Sequence, residues 1–249
     1  DEFIKDGVRP KQIGYFSFTK KAANEAATRA ADKFNLDKET DLENFRTLHS
    51  FAFHKLGMVK EKMMQPEDYK EFGEKCGIPI KTAKFSTDDG TFNSDNEYLT
   101  IINTARVKRM DLLEYYDSRQ NILDIERSTL YLLADELKKF KKEKGLKDFT
   151  DLLEDFIEKD IQPKFEVLFI DEAQDLSKIQ WEMVRVLWAN ANKTYIAGDD
   201  DQAIFKWAGA DVDHFIALKE EVDNIKTLDQ SYRMPGGPIH ELSQKIIRK

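Results

Sequence analysis

The chain is poor in three things: cysteine, long apolar runs and excess positive charge. Cys76 is the only cysteine. One thiol excludes an internal disulfide and a multi-cysteine zinc site, and predicts a reducing, intracellular (cytoplasmic) setting. The longest apolar run, Leu130 to Ala134, falls far short of the ~18 residues of a membrane span, so no membrane contact is expected. No charged segment followed by an apolar one opens the chain, so no signal peptide is expected. The four histidines, His49, His54, His214 and His240, lack metal-ligand spacing. Lys plus Arg number 39 against 47 Asp plus Glu, a net charge of −8. That balance argues against coating nucleic acid by bulk charge, while leaving room for a local basic track. The 249 residues suffice for one or two domains with buried cores. They open at Asp1 rather than Met, in mid-pattern, which predicts a piece of a longer chain.

Hydrophobic patterning organises what is present. Ile13 to Phe18 is aromatic and β-prone and reads as a buried strand. Thr19 can cap the helix that follows, in which alanines at three- and four-residue intervals form one close-packing face. A strand feeding a helix is half of a βαβ unit. From about Met58 to Lys144 the chain turns charged and helix-prone, with turn signals at 77–79 and 87–90. This predicts a mostly helical insertion with its own core. Its end, Lys138 to Lys147, is the most basic patch, either a solvated helix end or a phosphate contact. Strand patterning returns at Phe165 to Ile170, an apolar run expected to be covered on both faces. Thr194 to Ala197 and Asn224 to Leu228 read as further strands. Each of these three ends in a polar cluster, and open α/β sheets bind ligands at the carboxyl ends of their strands.

Three clusters carry the chemistry. In VLFIDEAQD, Asp171 at a strand end can hold Mg²⁺ and Glu172 can polarise a water for attack on a γ-phosphate. An acidic helix start is the competing explanation. In GDDDQAIFKWAGA, Gln202 can sense a γ-phosphate. Phe205 and Trp207 alternate with Lys206, a pattern suited to stacking on unpaired bases, although two core aromatics would look the same. In LDQSYRMP, Arg233 can stabilise charge on a phosphoryl group and Tyr232 can stack on a nucleotide base, although by itself the pair reads by default as a surface Tyr-Arg.

Together these segments resemble the UvrD/Rep family of superfamily 1 DNA helicases. SFTKKAANEAATRA resembles motif Ia, FRTLHSFAF motif Ib, and KDFTDLL the segment before the Walker B strand. VLFIDEAQDLSKIQ resembles motif II, AGDDDQAIFKWAGAD motif III, and LDQSYR motif IV, all in the family's order. The resemblance implies an α/β fold: a RecA-like parallel sheet flanked by helices and interrupted by the helical insertion. It divides the chain into 1–57 and 145–249 (domain 1A) and 58–144 (domain 1B). It implies Asp171 as a Mg²⁺ ligand and Glu172 as catalytic base. Gln202 would couple phosphate state to DNA contact, Arg233 would contact the γ-phosphate, and Tyr232 would stack on the base of ATP. Phe18, Phe205 and Trp207 would stack on single-stranded bases, with Thr19 and His49 on the DNA path. ATP and Mg²⁺ are the implied cofactors. Single-stranded DNA and single/double-strand junctions are the implied partners of a monomeric motor, usually 3′ to 5′.

Two departures stand against that picture. None of the eleven glycines falls into G-x-x-x-x-G-K-[ST], so the phosphate cradle is not in this sequence. The family's second RecA-like domain is missing too, and Ala208 stands where many relatives have Arg. The 249 residues alone are therefore expected to be inactive as a motor. A non-catalytic single-strand-binding relative and a two-metal nuclease built on Asp171, Glu172 and Asp199 to Asp201 are the alternatives.

Overall fold

The computed structural model describes residues 2–119, 125–228 and 237. Six strands occur among them: β1 (Ile13–Ser17), β2 (Phe45–Arg46), β3 (Ala83–Phe85), β4 (Phe92–Ser94), β5 (Phe165–Asp171) and β6 (Ala191–Ile196). The α-helices are α1 (Glu2–Lys5), α2 (Lys20–Phe34), α3 (Leu48–Lys55), α4 (Pro66–Cys76), α5 (Glu97–Val107), α6 (Leu112–Asp117), α7 (Arg127–Lys144), α8 (Phe149–Glu158), α9 (Lys178–Ala189) and α10 (Val212–Ala217). No helix among the described residues is long and apolar enough to cross a membrane.

Four strands form one parallel sheet in the order β2-β1-β5-β6. Ser17 pairs with Asp171 at the carboxyl end of β1 and β5. One face of the sheet is sealed by α3, α8 and α9 around Phe16, Phe51, Phe156, Leu168 and Trp181. The other face is only partly covered. There Tyr15 stacks on Phe45 at 5.4 Å and Phe169 on Tyr195 at 5.3 Å. The expectation that β5 is covered on both faces is thus corrected: Glu166 and Phe169 are half-buried.

Local sequence explains the helix starts. Thr19 accepts from the Ala22 N–H at 3.1 Å, and Ala23, Ala27 and Ala31 of α2 are buried, the last two packing with Leu42. Asp148 and Asp151 form a reciprocal capping box that starts α8.

A second core lies between β2 and α8 in sequence. Tyr69, Phe72, Leu99, Leu130, Leu137 and Phe140 close it, and an antiparallel β3–β4 hairpin sits at the turn signal around 87–90. The chain changes core between neighbours: Met63 packs in the first and Met64 in the second. Met63 also bridges in parallel to Lys147, so entry and exit run side by side. The basic patch at 138–147 is mostly held in ion pairs, while Lys138 and Lys142 are exposed on α7 as a solvated helix end would leave them. Lys141 is buried against Asp148 and Asp151, Lys144 meets Glu71, and Lys147 meets Asp155 at 3.0 Å.

The expected strand at Asn224 to Leu228 is absent. These residues are irregular, and Ile225 and Leu228 are 66% and 84% exposed. β-prone side chains make a strand only where a neighbouring strand pairs and packs with them. The strand expected at Thr194 to Ala197 begins earlier, at Ala191, because its pairing with β5 starts opposite Phe165.

Candidate functional site

The carboxyl ends of β1, β5 and β6 lie together, and the chain leaves each in a polar turn. Asp171 ends β5, half-buried. Its Oδ2 accepts from the Tyr15 hydroxyl at 2.5 Å and its Oδ1 from the Glu172 N–H at 3.1 Å. Burial and this carboxylate hold the Tyr15 phenol well above its ordinary pKa, so it stays a donor. Glu172 is exposed and adopts the left-handed region at φ 54°, ψ 42°. A non-glycine residue there is strained, and such strain gathers at functional turns.

Gln174 joins this turn to the next strand end. Its Nε2 donates to Glu172 Oε2 at 2.8 Å and Asp175 Oδ2 at 3.2 Å. Its Oε1 accepts from the Asp199 N–H at 3.0 Å. Gly198 permits that approach: a Cβ there would lie 2.7 Å from Gln174 Oε1. Asp199 in turn accepts from Gln202 Nε2. A continuous hydrogen-bonded path therefore runs Glu172–Gln174–Asp199–Gln202. Gln174, Asp175 and Tyr15 carried no role in the sequence reading. The available signal was a polar Gln-Asp pair immediately after the Asp-Glu pair.

The cluster carries uncompensated negative charge. Among the described residues no salt bridge reaches Asp171, Glu172, Asp175 or Asp199. Burial, then the charge of Glu172, pushes the Asp175 carboxyl up to about 6. Asp175 Oδ1 and Ser17 Oγ are buried without a hydrogen-bond partner. No three His, Cys, Asp or Glu side chains among the described residues converge to hold a metal unaided. That set still fits Mg²⁺, which is held by one or two carboxylates with water and substrate phosphates. Asp171 would be its protein ligand.

Aromatics run outward from the core beside this cluster. Phe18 is 5% exposed and belongs to the main core, so the expectation that it stacks on bases is corrected: Phe205 covers it at 4.9 Å. Phe205 is half-buried, and Trp207, 6.3 Å beyond it, is 60% exposed. Of the three aromatics, Trp207 presents the open ring. Thr19 is half-buried, its hydroxyl spent on capping α2. His49 is buried against Phe149 at 5.6 Å, and burial pushes its pKa down to about 4 against the pull of Asp89 and Asp148. It lines an open groove of about 1150 Å³ with Lys20, Arg46, Lys60, Lys84 and Phe53. Tyr232 and Arg233 lie outside the described residues.

A parallel sheet with helices on its flanks, strand-end carboxylates and a linked glutamine defines a RecA-like α/β domain of the nucleotide-handling class. Residues 2–223 match the UvrD/REP helicase N-terminal domain, and the chain belongs to that family. It is 24% identical over 238 residues to the ATP-dependent DNA helicase Rep of Buchnera aphidicola subsp. Baizongia pistaciae, covering 91% of this chain and 35% of the relative. It is 28% identical over 268 residues to a probable DNA helicase II homologue of Mycoplasma genitalium, covering 98% and 37%. A segment of 74 residues is 36% identical to the ATP-dependent DNA helicase PcrA of Staphylococcus epidermidis, covering 29% and 10%. The chain spans about a third of the length of the curated relatives it matches along most of its own.

Proposed function

We propose that this chain is part of an ATP-dependent DNA helicase that moves along single-stranded DNA, 3′ to 5′, and opens duplex at single/double-strand junctions. In this reading it works as a monomer in the cytoplasm. Residues 1–57 and 145–249 form the nucleotide-handling domain and 58–144 an inserted domain. The observation that carries the reading is the path Glu172–Gln174–Asp199–Gln202, which links the strand-end acid pair to the loop bearing Phe205 and Trp207. Movement of Glu172 on phosphate release would thereby reach the side chains that face a base.

Each residue has a distinct task. Glu172 would hold the attacking water and accept its proton; Asp171 would hold Mg²⁺, with Tyr15 fixing one carboxylate oxygen. Gln202 reports the state of the γ-phosphate, and Tyr232 and Arg233 contact the nucleotide. Mg²⁺, when bound with ATP, supplies charge neutralisation for the transferring phosphoryl group. The lysines and Arg46 of the groove suit a strand's phosphates, and Trp207 suits stacking on its bases.

The test is strand-stimulated ATP hydrolysis by the full-length protein. Glu172→Gln is expected to lower turnover by about 100-fold or more while nucleotide binding persists. Equal loss of binding and turnover refutes the catalytic role. Displacement from 3′-tailed but not 5′-tailed duplexes tests the polarity.

A further inference from the structure

We propose that the hairpin turn at residues 86–91 is an autoinhibitory strap: its Asp88 sits where a nucleic-acid phosphate binds, and it must lift for a single strand to pass. This rests on the reading of the groove as the strand path.

The start of α2 has four N–H groups without helical partners. Thr19 satisfies one of them, accepting from Ala22 N–H through its hydroxyl at 3.1 Å, while Ala23 N–H makes the first helical bond, to the Thr19 carbonyl. Two more are taken by a residue far along the chain. Lys20 N–H donates to the Asp88 carbonyl at 2.7 Å and Lys21 N–H to Asp88 Oδ1 at 3.1 Å. One carboxylate oxygen and one carbonyl oxygen of Asp88 thus cap consecutive N–H groups at the positive end of a 15-residue helix, beside two lysines, where a phosphate would present its oxygens.

A second feature lies under the same strap. Gly90, at φ +75°, rests directly on His49: a Cβ there would fall 2.5 Å from the ring's Nδ1 and Cε1. His49 is 8% exposed and lines both the small cavity and the groove. The strap thus packs directly on the ring that lies between the small cavity and the groove.

Its location divides the path in two. On one side Asp89 and Gly90 wall a small cavity with Phe18, Phe205 and Ala208. On the other, Thr87, Asp88 and Gly90 wall the groove that holds Lys20, Arg46 and Lys84. A strand running from the Trp207 loop into the cationic groove has to displace it. The turn is prebuilt to move as a unit: Ser86 N–H donates to the Thr91 carbonyl at 2.8 Å, and Asp89 Oδ1 accepts from Thr91 N–H at 2.9 Å. Asp88, Lys20 and Lys21 are exposed, so the contact is screened by solvent and a phosphate can compete for it.

The experiment is anisotropy of a dye-labelled oligothymidylate of about 15 nucleotides with the full-length protein. Asp88→Asn weakens the anion and Gly90→Ala wedges the turn off His49. Each is expected to tighten strand binding about two- to fivefold. Hydrogen exchange across 86–91 is expected to quicken when the oligonucleotide is added. Unchanged affinity in both variants, with wild-type binding still weakened by Trp207→Ala, overturns the strap and leaves the strand path standing. Weaker binding by Asp88→Asn at wild-type thermal stability also overturns it, by making the turn a strand contact. Absence of binding by wild type and variants alike removes the path and the strap together.

Discussion

Two groups of acids in this molecule behave in opposite ways. At the junction of body and insertion, Arg106 reaches Asp148 at 2.7 Å, Asp151 at 2.6 Å and Glu154 at 2.8 Å. Lys141 adds bonds to Asp148 and Asp151, both at 2.7 Å. Burial alone would raise the Asp148 carboxyl, but the two cations outweigh it and hold it well below its ordinary range. Asp151 is held up, by burial and by the charge of Asp148. At the strand ends, by contrast, acids meet mainly one another and Gln174. Carboxylates closed by cations fix structure. Carboxylates left without them are an unfinished site that a bound cation or donor can complete.

The largest effect that could break this contrast is at the junction. Asp148→Ala removes one carboxylate from both Arg106 and Lys141 and the cap of α8, leaving Asp151 and Glu154 to hold the cations, and the expected loss is about 2–4 kcal/mol in denaturant unfolding. A loss within experimental error would mean that the network is ornamental. Trp207→Ala should do the reverse. It is expected to cost ~1–3 kcal/mol in single-strand affinity while leaving stability nearly unchanged. If stability falls and affinity does not, Trp207 belongs with the core.

Asp175 sharpens the contrast further. Its folded pKa of about 6 lies above the ordinary 3.8, so the fold binds that proton more tightly than the unfolded chain does. Asp175 therefore costs stability as pH rises from about 4 to 6, and the full cost persists above. Asp175→Asn is expected to gain about 1–2 kcal/mol at pH 8, a gain that vanishes by pH 4. A gain independent of pH would remove the electrostatic explanation. The smallest effect is spectroscopic. His49 is expected to titrate near 4 by NMR, and closer to its ordinary value of 6.5 in Asp88→Asn.

Much of this architecture was legible because short-range rules suffice for it. The β1 run, the Thr19 cap and the separate core of the insertion follow from spacing alone. Family order placed Glu172 and Gln202 at one sheet edge, and they are linked there through Gln174 and Asp199. What failed depends on partners distant in sequence. Phe18 looks like a stacking ring until Phe205 covers it. Lys141, Lys144 and Lys147 look free until Asp148, Asp151, Glu71 and Asp155 reach them. Asn224 to Leu228 looks like a strand, but pairing cannot be read from one segment. The strained backbone of Glu172 has no signature in its residue type.

The side-by-side crossing at Met63 and Lys147 has an engineering consequence. A short linker there could replace everything between, and the parallel sheet would keep its register. The inserted piece is further held to the body by Arg106 and Lys141 gripping α8 and by Arg109 meeting Glu182 of α9 at 2.9 Å. A transplant of this module into another scaffold therefore has to bring Asp148 and Asp151 along, and a clean excision has to neutralise them.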